Sequence, residues 1–144
     1  MENAMDMAQF ISASFQSQDY YCNAWVKADK TGIEMTLFNE LGAAMGELSY
    51  LDGLVHFSSP VFPKSIKPEY IVADFQLCFY NPMLLGKALE NCGLALAIDG
   101  TVRRILKGES IIIEIEKEDN TVHFTNFLRG YRYTLEGNFK EIAL

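Results

Sequence analysis

The sequence predicts an α+β fold that is mainly antiparallel β-sheet, with two short helices inserted near its midpoint. Three observations carry that prediction. Clusters rich in Gly, Asn and Asp recur at short intervals: "DKTG" at 29–32, "NELG" at 39–42, "LDG" at 51–53, "DG" at 99–100, "KGE" at 107–109, "EDN" at 118–120 and "RG" at 129–130. These residues tolerate the positive φ of tight hairpin turns, so each cluster reads as a reversal between antiparallel strands. Between the clusters lie runs of strand length. The pattern breaks only once, where three prolines give way to apolar residues at helical spacing.

The first half holds strands near 8–15, 20–28, 33–38, 44–50 and 54–58, where Tyr, Val, Ile, Trp, Thr and Phe suit a pleated surface. "SSPVFPKSIKPEY" then brings Pro60, Pro63 and Pro68, which forbid a central strand. Pro68 and Glu69 suit the first turn of a helix, on which Ile71, Phe75, Cys78 and Phe79 recur at helical spacing. Asn81-Pro82 ends that helix. A second one begins at Pro82, carries Leu84, Leu85, Ala88 and Leu89, and stops at Gly93. Strands resume near 94–98, 101–107, 110–117, 121–128 and 131–136. "SIIIEIEKE" sets Ile113 and Ile115 against Glu114 and Glu116, one face dry and one wet, and "TVHFTNFL" sets Val122, Phe124 and Asn126 against His123, Thr125 and Phe127.

One domain over residues 1–144 accounts for the length, with strands over about 8–58, a helical segment over about 67–92 and strands over about 94–137. A sheet laid out this way has an uncovered apolar face, and the two helices are expected to cover it. With 49% hydrophobic and 22% charged residues the chain reads as folded and globular. A net charge of -7 without a basic stripe excludes nucleic acid as a partner. Cys22, Cys78 and Cys92 lack metal or redox spacing and read as small apolar side chains, although an oxidising compartment would allow a Cys78–Cys92 bridge. The opening "MENAMDMAQF" carries acids and no apolar stretch follows; it fits a cytoplasmic protein, or a secreted one without its leader.

Signs of catalysis are sparse. His56 and His123 each sit on an expected strand without an evident partner, and no nucleophile-elbow, phosphate-loop or dinucleotide pattern is present. No catalytic residue, metal ligand or cofactor is therefore assigned, and the chain reads as a non-enzyme. Asp74 stands out, because a carboxylate on an apolar helix is costly to bury unless paired. Arg103 and Arg104 are the available cations, so the expectation is a salt bridge pinning helix to sheet. Ten Phe, seven Tyr and one Trp exceed what a thin sandwich needs to fill its core.

The stretches "ADFQLCFYNPMLLGKAL" (73–89), "VRRIL" (102–106) and "LRGYRYTLE" (128–136) resemble a family of small bacterial lipoproteins of unknown function. That family is often found with genes for aryl-polyene-type fatty acid synthesis, and it is similar to the LolA and LolB lipoprotein carriers. By the resemblance, Asp74, Gln76 and Leu77 match the motif helix, Pro82 its end, Arg103 or Arg104 the arginine, and Tyr131 the closing aromatic; Phe75 stands where a Leu is usual. The likeness implies an open half-barrel of about ten strands with a two-helix lid over a hydrophobic cavity. It also implies the bacterial periplasm, with outer-membrane association through a lipid anchor absent from this chain.

The resulting expectation is a carrier that holds a lipid, a lipoprotein acyl chain or a polyene-like ligand under the lid, with other envelope proteins as further partners. Trp25, Phe38, Phe57, Phe75, Phe79, Leu85, Phe124 and Phe127 are expected to line the cavity. Asp74, Gln76, Arg103, Arg104 and Tyr131 are expected to tether the lid. The main alternative is a non-enzymatic envelope interaction or structural protein with a filled core. An acyl-directed enzyme using Asp74 or His123 as base is a third reading.

Overall fold

A computed structural model describes residues 4–59 and 67–139. Its elements, in chain order, are β1 (Met5–Phe15), β2 (Gln18–Ala28), β3 (Gly32–Phe38), β4 (Ala44–Leu51), β5 (Leu54–Ser58), α1 (Pro68–Phe79), α2 (Pro82–Asn91), β6 (Ala95–Asp99), β7 (Val102–Lys107), β8 (Ser110–Lys117), β9 (Thr121–Asn126) and β10 (Tyr131–Glu136). The strands form one open antiparallel sheet in the order β5-β4-β3-β2-β1-β10-β9-β8-β7-β6. Each half is a meander. The first and last strands of the chain join the halves, with Ile11 opposite Leu135 and Ala13 opposite Tyr133.

Most of the turns follow the chemistry of their residues. Asp52 and Gly53 both take positive φ, the geometry of a two-residue hairpin loop. Asp29 Oδ1 accepts from the Thr31 amide at 2.7 Å, and Asn39 Oδ1 accepts from the amides of Leu41 and Ala43. β9 stops two residues short of the expected 128. There the Asn126 side chain accepts from the Arg129 amide at 2.8 Å, and its carbonyl accepts from Gly130, which turns the chain. Pro68 and Pro82 each open a helix. Asn81 caps α2 by accepting from the Met83 amide at 2.8 Å, and α2 ends at Gly93, where φ is positive and the Leu94 amide returns to the Leu89 carbonyl. Pro60 and Pro63 lie outside the described residues.

The sheet must curl around α1. From β5 to β7 the strand order counts eight spacings, or roughly 38 Å if the sheet were flat. A helix of 12 residues is about 18 Å long. Yet α1 packs against β5, while its Leu77 and Tyr80 carbonyls both accept from the Arg103 guanidinium of β7. Only curvature reconciles those contacts.

Curvature gives the sheet a concave and a convex face. Alternate residues such as Val26, Ile33, Met35, Leu48, Ile105, Ile115 and Phe124 turn inward and pack in one core with Val72, Phe75, Cys78 and Phe79 of α1. Phe139, fully buried beyond β10, stacks on Phe79 at 5.5 Å.

The two helices do not share the covering role expected of them. α1 crosses the concave face, whereas α2 packs beside the edge strand β6 and buries only Leu85 fully. Met83 and Leu84 are 74% and 62% exposed. Its apolar residues spread too far round the helix for one shallow contact to cover them.

Candidate functional site: a cavity under the first helix

Between the concave face and α1 lies a cavity of about 500 Å³. Sheet residues Ile11, Val26, Met35, Leu37, Leu48 and Leu135 form one wall, and Ile71 and Phe75 of α1 form the other. That volume lies within the range of small-molecule sites. Register orders it lengthwise. Phe15, opposite Tyr131, is at one end and Gln9, six residues along β1, is at the other, a span of about 20 Å. At the Phe15 end stand Tyr20, Tyr70, Lys67 and Arg129.

Polar groups in the wall are few. The Tyr131 hydroxyl donates to Asp74 Oδ2 at 2.5 Å, joining β10 to the middle of α1. Burial pushes the Asp74 carboxyl up to about 7, against the opposing pull of the Tyr131 hydrogen bond, the Arg129 charge and the Tyr133 hydroxyl. The same burial, with the neighbouring carboxyl, raises Tyr131 and Tyr133 well above the usual phenol range. Tyr131, Phe124 and Tyr133 stack as a ladder, with Phe124 and Tyr133 centroids 4.6 Å apart. Gln9 is buried, and its amide nitrogen donates to the Met5 sulfur at 3.5 Å. Cys22 also faces the cavity, its thiol pushed up to about 11 by burial, and Cys78 is buried on α1. Cys78 and Cys92 are both free, Cys92 being exposed, so the bridge allowed for them is not formed.

The expected salt bridge from Asp74 to Arg103 or Arg104 is also not formed. Arg104 pairs instead with Glu114, its cross-strand neighbour, at 2.9 Å. Arg103, 3% exposed, points inward and donates from Nη1 to the Leu77 and Tyr80 carbonyls at 2.9 and 3.0 Å. It thus places a cation at the C-terminal end of α1, whose own last turn has no basic residue. Residues one apart on a strand face opposite ways, which is why two adjacent arginines have different partners. Gln76 is half-buried on α1, and its carbonyl accepts from the Tyr80 amide.

Phe57 and Phe75 line the cavity; the other six residues expected there lie elsewhere. Trp25 is on the convex face, 45% exposed, with its indole N–H donating to Asp6 at 2.7 Å. Phe38 pairs with the exposed Asn23, beyond the register shift where β4 bulges against β3. Phe127 is 57% exposed at the β9–β10 turn. Phe79 and Leu85 are buried, Phe79 against Phe75 and Phe139 and Leu85 in α2. Phe124 is buried behind the two tyrosines and reaches a shallow polar recess of about 400 Å³ with Tyr133, His123 and Arg132. The placement of Trp25 and Phe127 follows from strand parity, since residues an odd number of steps from an inward neighbour face out. Gln9, Tyr70, Lys67, Arg129 and Tyr133 are the site residues that composition hid. Parity with Ile11 and Leu135 would have found Gln9 and Tyr133.

Residues 6–137 match a family described as a protein of unknown function, DUF3261. The chain belongs to that family. The match takes in both helices and the ten strands, short only of Met5 at the start of β1. Every described cavity residue therefore falls within the region that defines DUF3261. No curated protein matches the chain.

Proposed function

We propose that this DUF3261 protein is a carrier or receptor that holds a lipid, a lipoprotein acyl chain or a polyene-like hydrophobic molecule beneath α1. The observation that carries the reading is the elongated apolar cavity between the curled sheet and that helix. Burying a chain there contributes about 0.8 kcal/mol per methylene, so even a partial chain binds usefully. α1 is held to the sheet by discrete polar contacts at Tyr131 and Arg103. A helix tethered so can shift as a unit to admit a chain, whereas a central strand would have to surrender its ladder.

The resemblance of the chain's motifs to those of small bacterial lipoproteins favours a bacterial-envelope setting, with outer-membrane attachment through a lipid anchor. In this reading the protein is a carrier without catalysis of its own. The test is displacement of a neutral apolar dye, such as N-phenyl-1-naphthylamine, by alkyl chains of increasing length. Saturable dye binding, and displacement that strengthens with chain length until about 500 Å³ is filled, is expected. Absence of saturable dye binding by the folded protein would overturn the reading and favour an interaction protein.

A further inference from the structure

Two cations, Lys67 and Arg129, stand at the Tyr131 end of the cavity, and neither forms a salt bridge with a described acid. Arg129 lies over the Tyr70 ring with its guanidinium carbon 3.5 Å from the centroid, and Lys67 Nζ is 5.6 Å from the same centroid. All three residues line the cavity. The only salt bridge among the described residues is Arg104–Glu114, so neither cation has a described acid within 4 Å. In a chain of net charge -7, with acids in surplus, that pairing of like charges is unusual. Two cations gathered about one aromatic ring repel each other, and an anion bound by both relieves the repulsion. Asp74, the acid in the cavity lining, is engaged with Tyr131 deeper along α1.

We propose that the ligand is a single-chain amphiphile with an anionic head, its chain lying along the cavity and its head held at the mouth by Lys67 and Arg129. The assignment rests on the carrier reading above and narrows it to one class. Charge and shape agree with it. At about the 30 Å³ that a water takes in the liquid, the cavity has room for roughly sixteen heavy atoms in a row. Apart from these two cations, the charged residues of its lining are Asp74 and Arg132, and the rest of the wall is chiefly apolar. A carboxylate, sulfate or phosphate head at the mouth gains charge-assisted hydrogen bonds from a guanidinium and an ammonium while staying in contact with water.

The test compares tetradecanoate, tetradecanol and tetradecyltrimethylammonium, each below its aggregation threshold, as competitors of N-phenyl-1-naphthylamine on the full chain. Tetradecanoate is expected to compete about tenfold better than the alcohol, and the cationic chain worst. In Lys67→Gln/Arg129→Gln the acid should lose most of its advantage over the alcohol. If the double variant does not fold, raising salt to on the order of 0.5 M must shrink the acid's advantage in the unaltered protein. Equal affinity of acid and alcohol, or a preference that survives both the double variant and salt, would overturn the head-group assignment and leave the carrier reading standing. Failure of all three chains and of the dye would overturn both.

Discussion

Asp74 is a side chain whose chemistry departs far from what its type suggests. Burial lifts its carboxyl from 3.8 to about 7, so the folded protein keeps a proton that the unfolded chain loses near pH 4. Below about pH 4 both states are protonated and its contribution is fully present. Between about 4 and 7 stability falls, by about 4 kcal/mol in all; above about 7 both states are ionised and the slope ends. Asp74→Asn keeps an oxygen for the Tyr131 hydroxyl and removes the charge. Urea melts from pH 4 to 8 should therefore be flatter for the variant, which should exceed the parent by up to about 4 kcal/mol at pH 8. A parent curve that rises over that window would show the carboxylate to be stabilising instead. Arg103 works in the opposite sense, since removing it strands two carbonyls at the end of α1. Arg103→Met should cost about 3 kcal/mol and speed amide exchange in α1 ahead of the sheet. Uniform loss of protection throughout the protein would argue against a local tether.

Among the elements, the β1–β2 hairpin is the one whose turn the sequence does not announce. Gln16 and Ser17 both sit at positive φ, 52° and 64°, where a side chain costs on the order of 1 kcal/mol each. Gln16→Asn with Ser17→Gly supplies the residues this turn prefers and should raise stability by about 1 kcal/mol, read as a higher urea midpoint with unchanged slope. The other reversals were legible because their residues carry the geometry: Asp52-Gly53 by positive φ, Asp29, Asn39 and Asn126 by accepting backbone amides. Both helices were legible for a similar reason, since Pro68 and Pro82 fix their first turns and Gly93 ends the second. The covering role of α2 was not, because apolar residues on a short helix record what it can bury and not which surface it meets. Adjacent arginines illustrate the same limit. Their types predict ion pairs, but only the register assigns Arg104 to Glu114 and Arg103 to the end of α1.

At the scale of the whole molecule, an aromatic surplus suggested a cavity, yet aromatics are not what chiefly shapes it. Trp25 and Phe127 face solvent, while much of the sheet wall comes from Ile11, Val26, Met35, Leu37 and Leu48. What leaves room is topology. Ten strands curled about one helix of 12 residues enclose more length than that helix fills, and the Phe79–Phe139 stack occupies the core away from the described cavity lining. The empty part is therefore a consequence of fold proportions, and filling it should leave the fold intact. Ala13 of β1 faces inward beside Tyr133 and lines the cavity, so Ala13→Leu places three more carbons in the void without touching the Asp74 or Arg103 tethers. A small apolar addition to an empty space stabilises by about 0.5–2 kcal/mol where it fits. The expected outcome is an equal or higher melting temperature together with at least a tenfold loss of dye affinity, since the added atoms take volume the dye needs. A stable variant that binds dye as before would place the dye elsewhere on the protein, and destabilisation by more than about 1 kcal/mol would mean that this part of the interior is already packed.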